Sequence, residues 1–138
     1  MIEAASIMGM KLSLACPKGY EPQAGVIERV RTSSQADITI GRDPKEAVSG
    51  ADAVYTDVWV SMGQEKESSK RKQTFRKYQL NRKLLSYAHE RAIVLHCLPA
   101  HRGEEITDEV IDGMQSVVFD QAENRLHTQK ALLEFLLT

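Results

Sequence analysis

The chain has 138 residues, 42% hydrophobic and 27% charged, with 18 basic against 19 acidic side chains. That length suits one domain of ordinary size, and no apolar run approaches the roughly 20 residues that cross a bilayer, so a membrane protein is excluded. A net charge of −1 gives no electrostatic support for nucleic acid as a partner.

In chain order, "IEAASIMGM" carries an acid early and lacks both a basic start and a sustained apolar core, so it does not read as a signal peptide; the expected location is cytoplasmic. "KLSLAC" (11–16) and "ADITI" (36–40) read as strands. "RDPKEAVSG" punctuates a short helix: Asp43 at the N-cap, Pro44 at the first helical position, Glu46 at the capping-box position and Gly50 just past the end. "AVYTDVW" (53–59) is a third strand, followed by the polar loop "SMGQE". The basic cluster from Lys70 to Lys77 is read as a solvated helix face, and "FRKYQLNRKLLSYAHE" as one long amphipathic helix. "AIVLHCL" (92–98) and "SVVFD" (116–120) complete five strands. The segment from Ala122 places Ala122, Leu126, Leu133 and Leu136 on one stripe, as in a helix packing on a sheet.

Several of the strands are nearly continuous in apolar character, and they alternate with helices. This pattern predicts an α/β fold of the doubly wound, Rossmann-like type: a mostly parallel sheet with helices on both faces, in a single domain over residues 1–138. Ligands of such folds sit beyond the C-terminal strand ends. That rule selects Cys16 and Pro17, Asp57 to Ser61, Cys97 to Pro99, and Asp120 to Arg125.

The chemistry of these residues is open when each is taken alone. Asp57 either caps its loop or holds a substrate ammonium through a charge-assisted hydrogen bond. Trp59 and Met62 suit packing as well as ligand contact. Cys97 is either a small buried apolar residue or a cleft thiol; its neighbour His96 points to the opposite strand face, which argues against a Cys–His nucleophile pair. His101 and Arg102 fall in the following loop. Arg125, expected at the opening of the last helix, either joins a surface ion pair or offers a planar fork to an anion or carbonyl. Cys16 and Cys97 follow no metal spacing and are expected to be free thiols. There is no glycine-rich phosphate loop, and "GYEPQAG" lacks dinucleotide-site spacing.

Taken together and in this order, "GMKLSLACPKGYEP", "DVWVSMGQE", "HCLP" and "AENRLHTQKALL" resemble the second half of an ornithine carbamoyltransferase. The resemblance runs over essentially the whole chain, and the "SMG" loop and "HCLP" separate it from the aspartate carbamoyltransferases. It implies that Asp57 grips the α-ammonium of ornithine and that Ser61 and Met62 belong to a loop closing over it. Cys97 and the Leu98 backbone would then lie beside ornithine and the carbamoyl group, with Arg125 polarising the carbamoyl carbonyl. It further implies carbamoyl phosphate as the second substrate, no metal or organic cofactor, and a trimer-based homo-oligomer for the full-length family.

The family's Ser-Thr-Arg-Thr phosphate motif does not occur here, and the family's first strand is expected to be missing, so the chain by itself is expected to be inactive. The gap left by that strand is expected to close by direct pairing of 11–16 with 53–59, or by self-association through the exposed strand edges. A non-catalytic amino-acid-binding or regulatory module on the same fold is the alternative. A carbamoyltransferase for putrescine is disfavoured by Asp57, since putrescine has no α-amino-acid head.

Overall fold

The computed structural model describes residues 1–33, 37–60 and 67–138. It is an α/β protein with parallel strands, and its chain divides into two compact units, residues 1–49 and 50–138. Among the described residues no helix is long and apolar enough to cross a membrane.

The first unit runs α1 (Ile2–Ile7), β1 (Leu12–Ala15), α2 (Ala24–Ser33), β2 (Ile38–Gly41) and α3 (Pro44–Val48). β1 and β2 are parallel, in the register Leu12↔Ile38 to Ala15↔Gly41, with α2 as the crossover. Ile2 and Ala5 of α1 and Val30 of α2 are buried. The α3 punctuation forms as expected: the Asp43 side chain accepts from the Lys45 N–H at 2.9 Å, Pro44 opens the helix, and Gly50 follows with φ +67°. The cap bond goes to Lys45, one residue before the capping-box position Glu46.

The second unit holds β3 (Ala53–Thr56), α4 (Ser68–Phe75), a 3₁₀ turn (Arg76–Tyr78), α5 (Arg82–Leu85), β4 (Ile93–His96), α6 (Asp108–Ile111) and α7 (Val118–Leu137). β3 and β4 are parallel, with Ala53↔Ile93 to Thr56↔His96 in register. The core is built here, from Leu80, Val94, Ile106, Val110, Ile111 and Val118, all 3% exposed or less. Along β4, Val94 and His96 point inward, whereas Ile93 is 40% exposed, so this strand buries one face only.

Four sequence expectations are corrected. The helix expected over 75–90 is broken at Gln79 to Asn81, because Leu80 is pulled into a parallel bridge with Ile106. Its N–H donates to the Glu105 carbonyl at 2.8 Å and its own carbonyl accepts from Thr107 at 3.1 Å. Asn81 then restarts the chain as the N-cap of α5, accepting from the Leu84 N–H at 3.0 Å.

The fifth strand, 116–120, is a single bridge from Ser116 to Val94. The next β4 donor, the His96 N–H, is taken at 2.9 Å by the Gln121 side-chain oxygen, where a strand would have offered a backbone carbonyl. The last helix accordingly starts at Val118 and not at Ala122.

The stripe Ala122, Leu126, Leu133 and Leu136 is exposed and does not lie on a sheet among the described residues. A 20-residue helix runs about 30 Å, whereas four-residue β4 spans about 13 Å, so α7 outruns its strand and packs through its first turn at Val118.

Finally, among the described residues each sheet has two strands, and the expected direct pairing of 11–16 with 53–59 is not one of their ladders. β1 ladders with β2, and β3 with β4, which leaves one strand edge of each outside those ladders.

Candidate functional site

Asp57 and Cys97 are the first residues past β3 and β4. Thr56 and His96 are ladder partners, so the chain leaves both strands side by side and delivers the next two residues to one place. The Cys97 thiol donates to Asp57 Oδ1 at 2.9 Å, and the same oxygen accepts the Val58 N–H at 2.7 Å. Tyr55, one residue inside β3, donates its hydroxyl to the Cys97 sulfur and is itself hydrogen-bonded by the Gln121 side chain. A chain of donors therefore runs Gln121, Tyr55, Cys97, Asp57, and Gln121 is anchored through its oxygen to the His96 N–H.

The electrostatics follow from this geometry. Partial burial of its sulfur pushes the Cys97 thiol up from its ordinary value, and donation to Asp57 adds to the rise. Burial likewise pushes Tyr55 up to about 12, with its bond to Cys97 contributing. Both groups are neutral at pH 7, so the pair as it stands is a hydrogen-bonded polar patch and not a thiolate nucleophile.

Leu98 is half-buried and sits at φ +52°, a left-handed conformation that non-glycine residues adopt at a cost. Its N–H donates to His96 Nδ1 at 2.9 Å. As sequence alternation implied, His96 faces away from Cys97: its ring is buried and lies 3.1 Å from Glu105 Oε1, itself fully buried. Arg102 forks onto Asp108 and Asp112 at 2.6–2.9 Å, tying the loop after "HCLP" to α6, and these carboxylates hold its guanidinium well above the ordinary range.

Of the sequence candidates, Asp57, Cys97 and Leu98 are thus brought together. Arg125 lies exposed in α7, eight residues into the helix and not at its opening, and its side chain makes no hydrogen bond or ion pair among the described residues. It is one turn beyond Gln121 on the same stripe, about 6 Å further along the axis. Ser61 and Met62 lie outside the described residues. Trp59 is buried and stacks on Phe75 with centroids 6.3 Å apart, which makes it packing. Cys16 belongs to the first unit, where burial and then Glu21 push its thiol up.

Sequence reasoning missed Tyr55 and Glu105, and it reached Gln121 only as part of the selected stretch 120–125. Tyr55 carried a readable signal, since it lies two positions before Asp57 and therefore on the same strand face. Glu105 carried none, and nothing local singled Gln121 out within its stretch, because their partners are distant in sequence.

Residues 1–136 match the family model described as aspartate/ornithine carbamoyltransferase, Asp/Orn binding domain. The chain is 56% identical over 136 residues to an ornithine carbamoyltransferase of Syntrophus aciditrophicus, covering 99% of this chain and 45% of that protein. It is 57% identical, with the same coverage, to one from Geobacter metallireducens. Among solved structures, the anabolic ornithine carbamoyltransferase of Campylobacter jejuni superposes with a TM-score of 0.92 at 40% identity, over 98% of this chain and 46% of that one. The Pyrococcus furiosus ornithine carbamoyltransferase gives 0.88 at 48% identity, over 96% and 43%. The chain therefore spans a little under half the length of the proteins it matches. With a family model covering all but its last two residues, this chain belongs to the Asp/Orn-binding domain family of the aspartate/ornithine carbamoyltransferases.

Proposed function

We propose that residues 1–138 are the ornithine-binding domain of an ornithine carbamoyltransferase. The observation that carries this reading is the Cys97–Asp57 hydrogen bond at the joint end of β3 and β4, beside the left-handed Leu98. Asp57 is exposed and one of its oxygens is engaged by Val58 and Cys97, so Oδ2 is the atom to receive the α-ammonium of ornithine. Cys97 orients Asp57 and lines the cleft. The Leu98 backbone faces the carbamoyl group, and Ser61 and Met62 close over the amino acid.

In the reaction the neutral side-chain amine of ornithine attacks the carbamoyl carbon of carbamoyl phosphate. The carbon–oxygen bond to phosphate breaks, the amine loses its proton, and citrulline and phosphate result. Arg125, projecting past Gln121, stabilises the carbonyl oxygen as it turns negative. Neither a metal nor an organic cofactor enters this scheme, since phosphate leaves readily and alignment supplies most of the rate.

The same reading takes the parallel strands as parts of a doubly wound, Rossmann-like sheet with helices on both faces, lacking the family's first strand. It places the protein in the cytoplasm, within a trimer-based homo-oligomer. It makes the 138-residue chain inactive alone, because these residues include no Ser-Thr-Arg-Thr phosphate motif. Calorimetric titration of the chain with ornithine tests the assignment: saturable binding that Asp57→Asn weakens is expected, and absence of binding to the folded chain overturns it. Citrulline formation above a no-protein control would contradict inactivity of the isolated chain.

A further inference from the structure

The loop "HCLPAHRGEE" is held from behind by two side chains that the scheme above leaves unused. His96 and Glu105 are both fully buried, with side-chain exposures of 0%. The backbone N–H of Leu98 can only donate, so His96 Nδ1 is an acceptor, and the neutral ring carries its proton on Nε2, aimed at Glu105 Oε1 3.1 Å away. Glu105 Oε1 also accepts the backbone N–H of His101 at 2.5 Å. One carboxylate oxygen therefore gathers both ends of the 96–101 segment, and the imidazole passes that constraint to Leu98. Its other oxygen, Oε2, is buried with no hydrogen-bond partner among the described residues, and His101 Nδ1 lies 3.9 Å from it.

A fully buried carboxylate with half of its acceptors unmet is costly, and residues at positive φ persist only where their surroundings over-determine them. Both features occur in one ten-residue stretch, and the His96 ring connects them, bonded to Glu105 Oε1 through Nε2 and to the Leu98 N–H through Nδ1. We propose that His96 and Glu105 are positioning residues: Glu105 locks the His96 ring, and the ring's Nδ1 holds Leu98 left-handed, so that Cys97 meets Asp57 and the Leu98 carbonyl is directed at the cleft. Neither group touches substrate. The role requires acceptors at two fixed points and does not require negative charge on Glu105. For its consequence in binding, the inference rests on the ornithine reading above; for the loop geometry, it does not.

The test is the rate of Cys97 alkylation by iodoacetamide in the intact 138-residue chain, read by peptide mass so that Cys16 is scored separately. With the anchor intact, the thiol is held on Asp57 and reacts slowly. His96→Ala and Glu105→Ala are expected to release it and raise the rate about tenfold at pH 8, the effect of one pKa unit on thiolate content. His96→Asn, whose amide oxygen can stand in for Nδ1, and Glu105→Gln, whose amide oxygen can accept both bonds, are expected to stay within about twofold of wild type.

Val94→Ala removes buried volume from the same strand without touching the loop, and is expected to lower stability while leaving the Cys97 rate alone. Equal acceleration in Val94→Ala, or full acceleration in Glu105→Gln, overturns the proposal. Protection of wild-type Cys97 by added ornithine is read separately. Its absence alongside the expected variant rates would count against the ornithine reading and leave the anchor standing.

Discussion

The Cys97 thiol donates to Asp57 Oδ1 at 2.9 Å although forty positions separate the two residues. Strand register brings them to one place: each is the first residue beyond a laddered pair, Thr56 and His96, so parallel pairing of β3 and β4 in this alignment is a condition of the bond. A one-residue slip would turn one of the two side chains to the opposite face and lose it. The site is thus at most as stable as the register that presents it.

Asp57→Asn keeps the shape of the loop and removes the charge. A hydrogen bond to a charged group contributes about 1.5–3 kcal/mol, so ornithine affinity is expected to fall roughly tenfold to a hundredfold. Calorimetry on the folded variant, with near-ultraviolet dichroism to confirm its structure, checks this.

The alkaline limb of stability carries a signature of Tyr55 and Cys97. Both have folded-state pKa values raised above their unfolded ones, first by burial, so their stabilising contributions are complete below the unfolded values of about 10 and about 8.5 and are lost as pH climbs through the folded ones. Urea midpoints are expected to hold from pH 7 to about 8.5 and then decline. Tyr55→Phe should flatten the part of that decline above pH 10, and in a spectrophotometric titration Tyr55 should ionise near 12.

Core and terminal helix should respond very differently to the same kind of truncation. Ile106 is 0% exposed and bridges to Leu80, so Ile106→Ala is expected to cost about 2–5 kcal/mol in urea unfolding. Leu133→Ala, at 58% exposure on α7, is expected to stay within about 0.5 kcal/mol.

The cap of α3 is a local test. Asp43→Ala removes the acceptor for the Lys45 N–H and is expected to cost about 1 kcal/mol, whereas Asp43→Ser should restore most of it. Chemical denaturation of the three proteins under one buffer decides the matter.

Much of this protein was legible before its coordinates. Apolar runs located the four strands of the described residues, along with a fifth that is not one, and Asp43 and Pro44 marked a helix whose N-cap forms, because these signals depend on neighbours within a few residues. The strand-end rule selected Asp57, Cys97 and Leu98 among four stretches that also included Cys16, and the order of four short motifs pointed to the carbamoyltransferase family to which the chain belongs. The sequence by itself thus determined where the four described strands lie, though not that 116–120 is no strand, and it determined the family.

What it did not contain was the identity of partners across long gaps. Leu80 leaves a segment with helical periodicity because residues 105–107 offer it backbone bonds, and Gln121 ends a fifth strand by capping His96. Glu105 is an ordinary-looking acid in "GEE" until the fold seals it against the His96 ring. In each, a polar group has its conformation chosen by a donor or acceptor 9 to 27 positions away. Local propensity differs between conformations by tenths of a kcal/mol, while stranding a buried polar group costs about 1–3 kcal/mol, so in these places the tertiary structure decides.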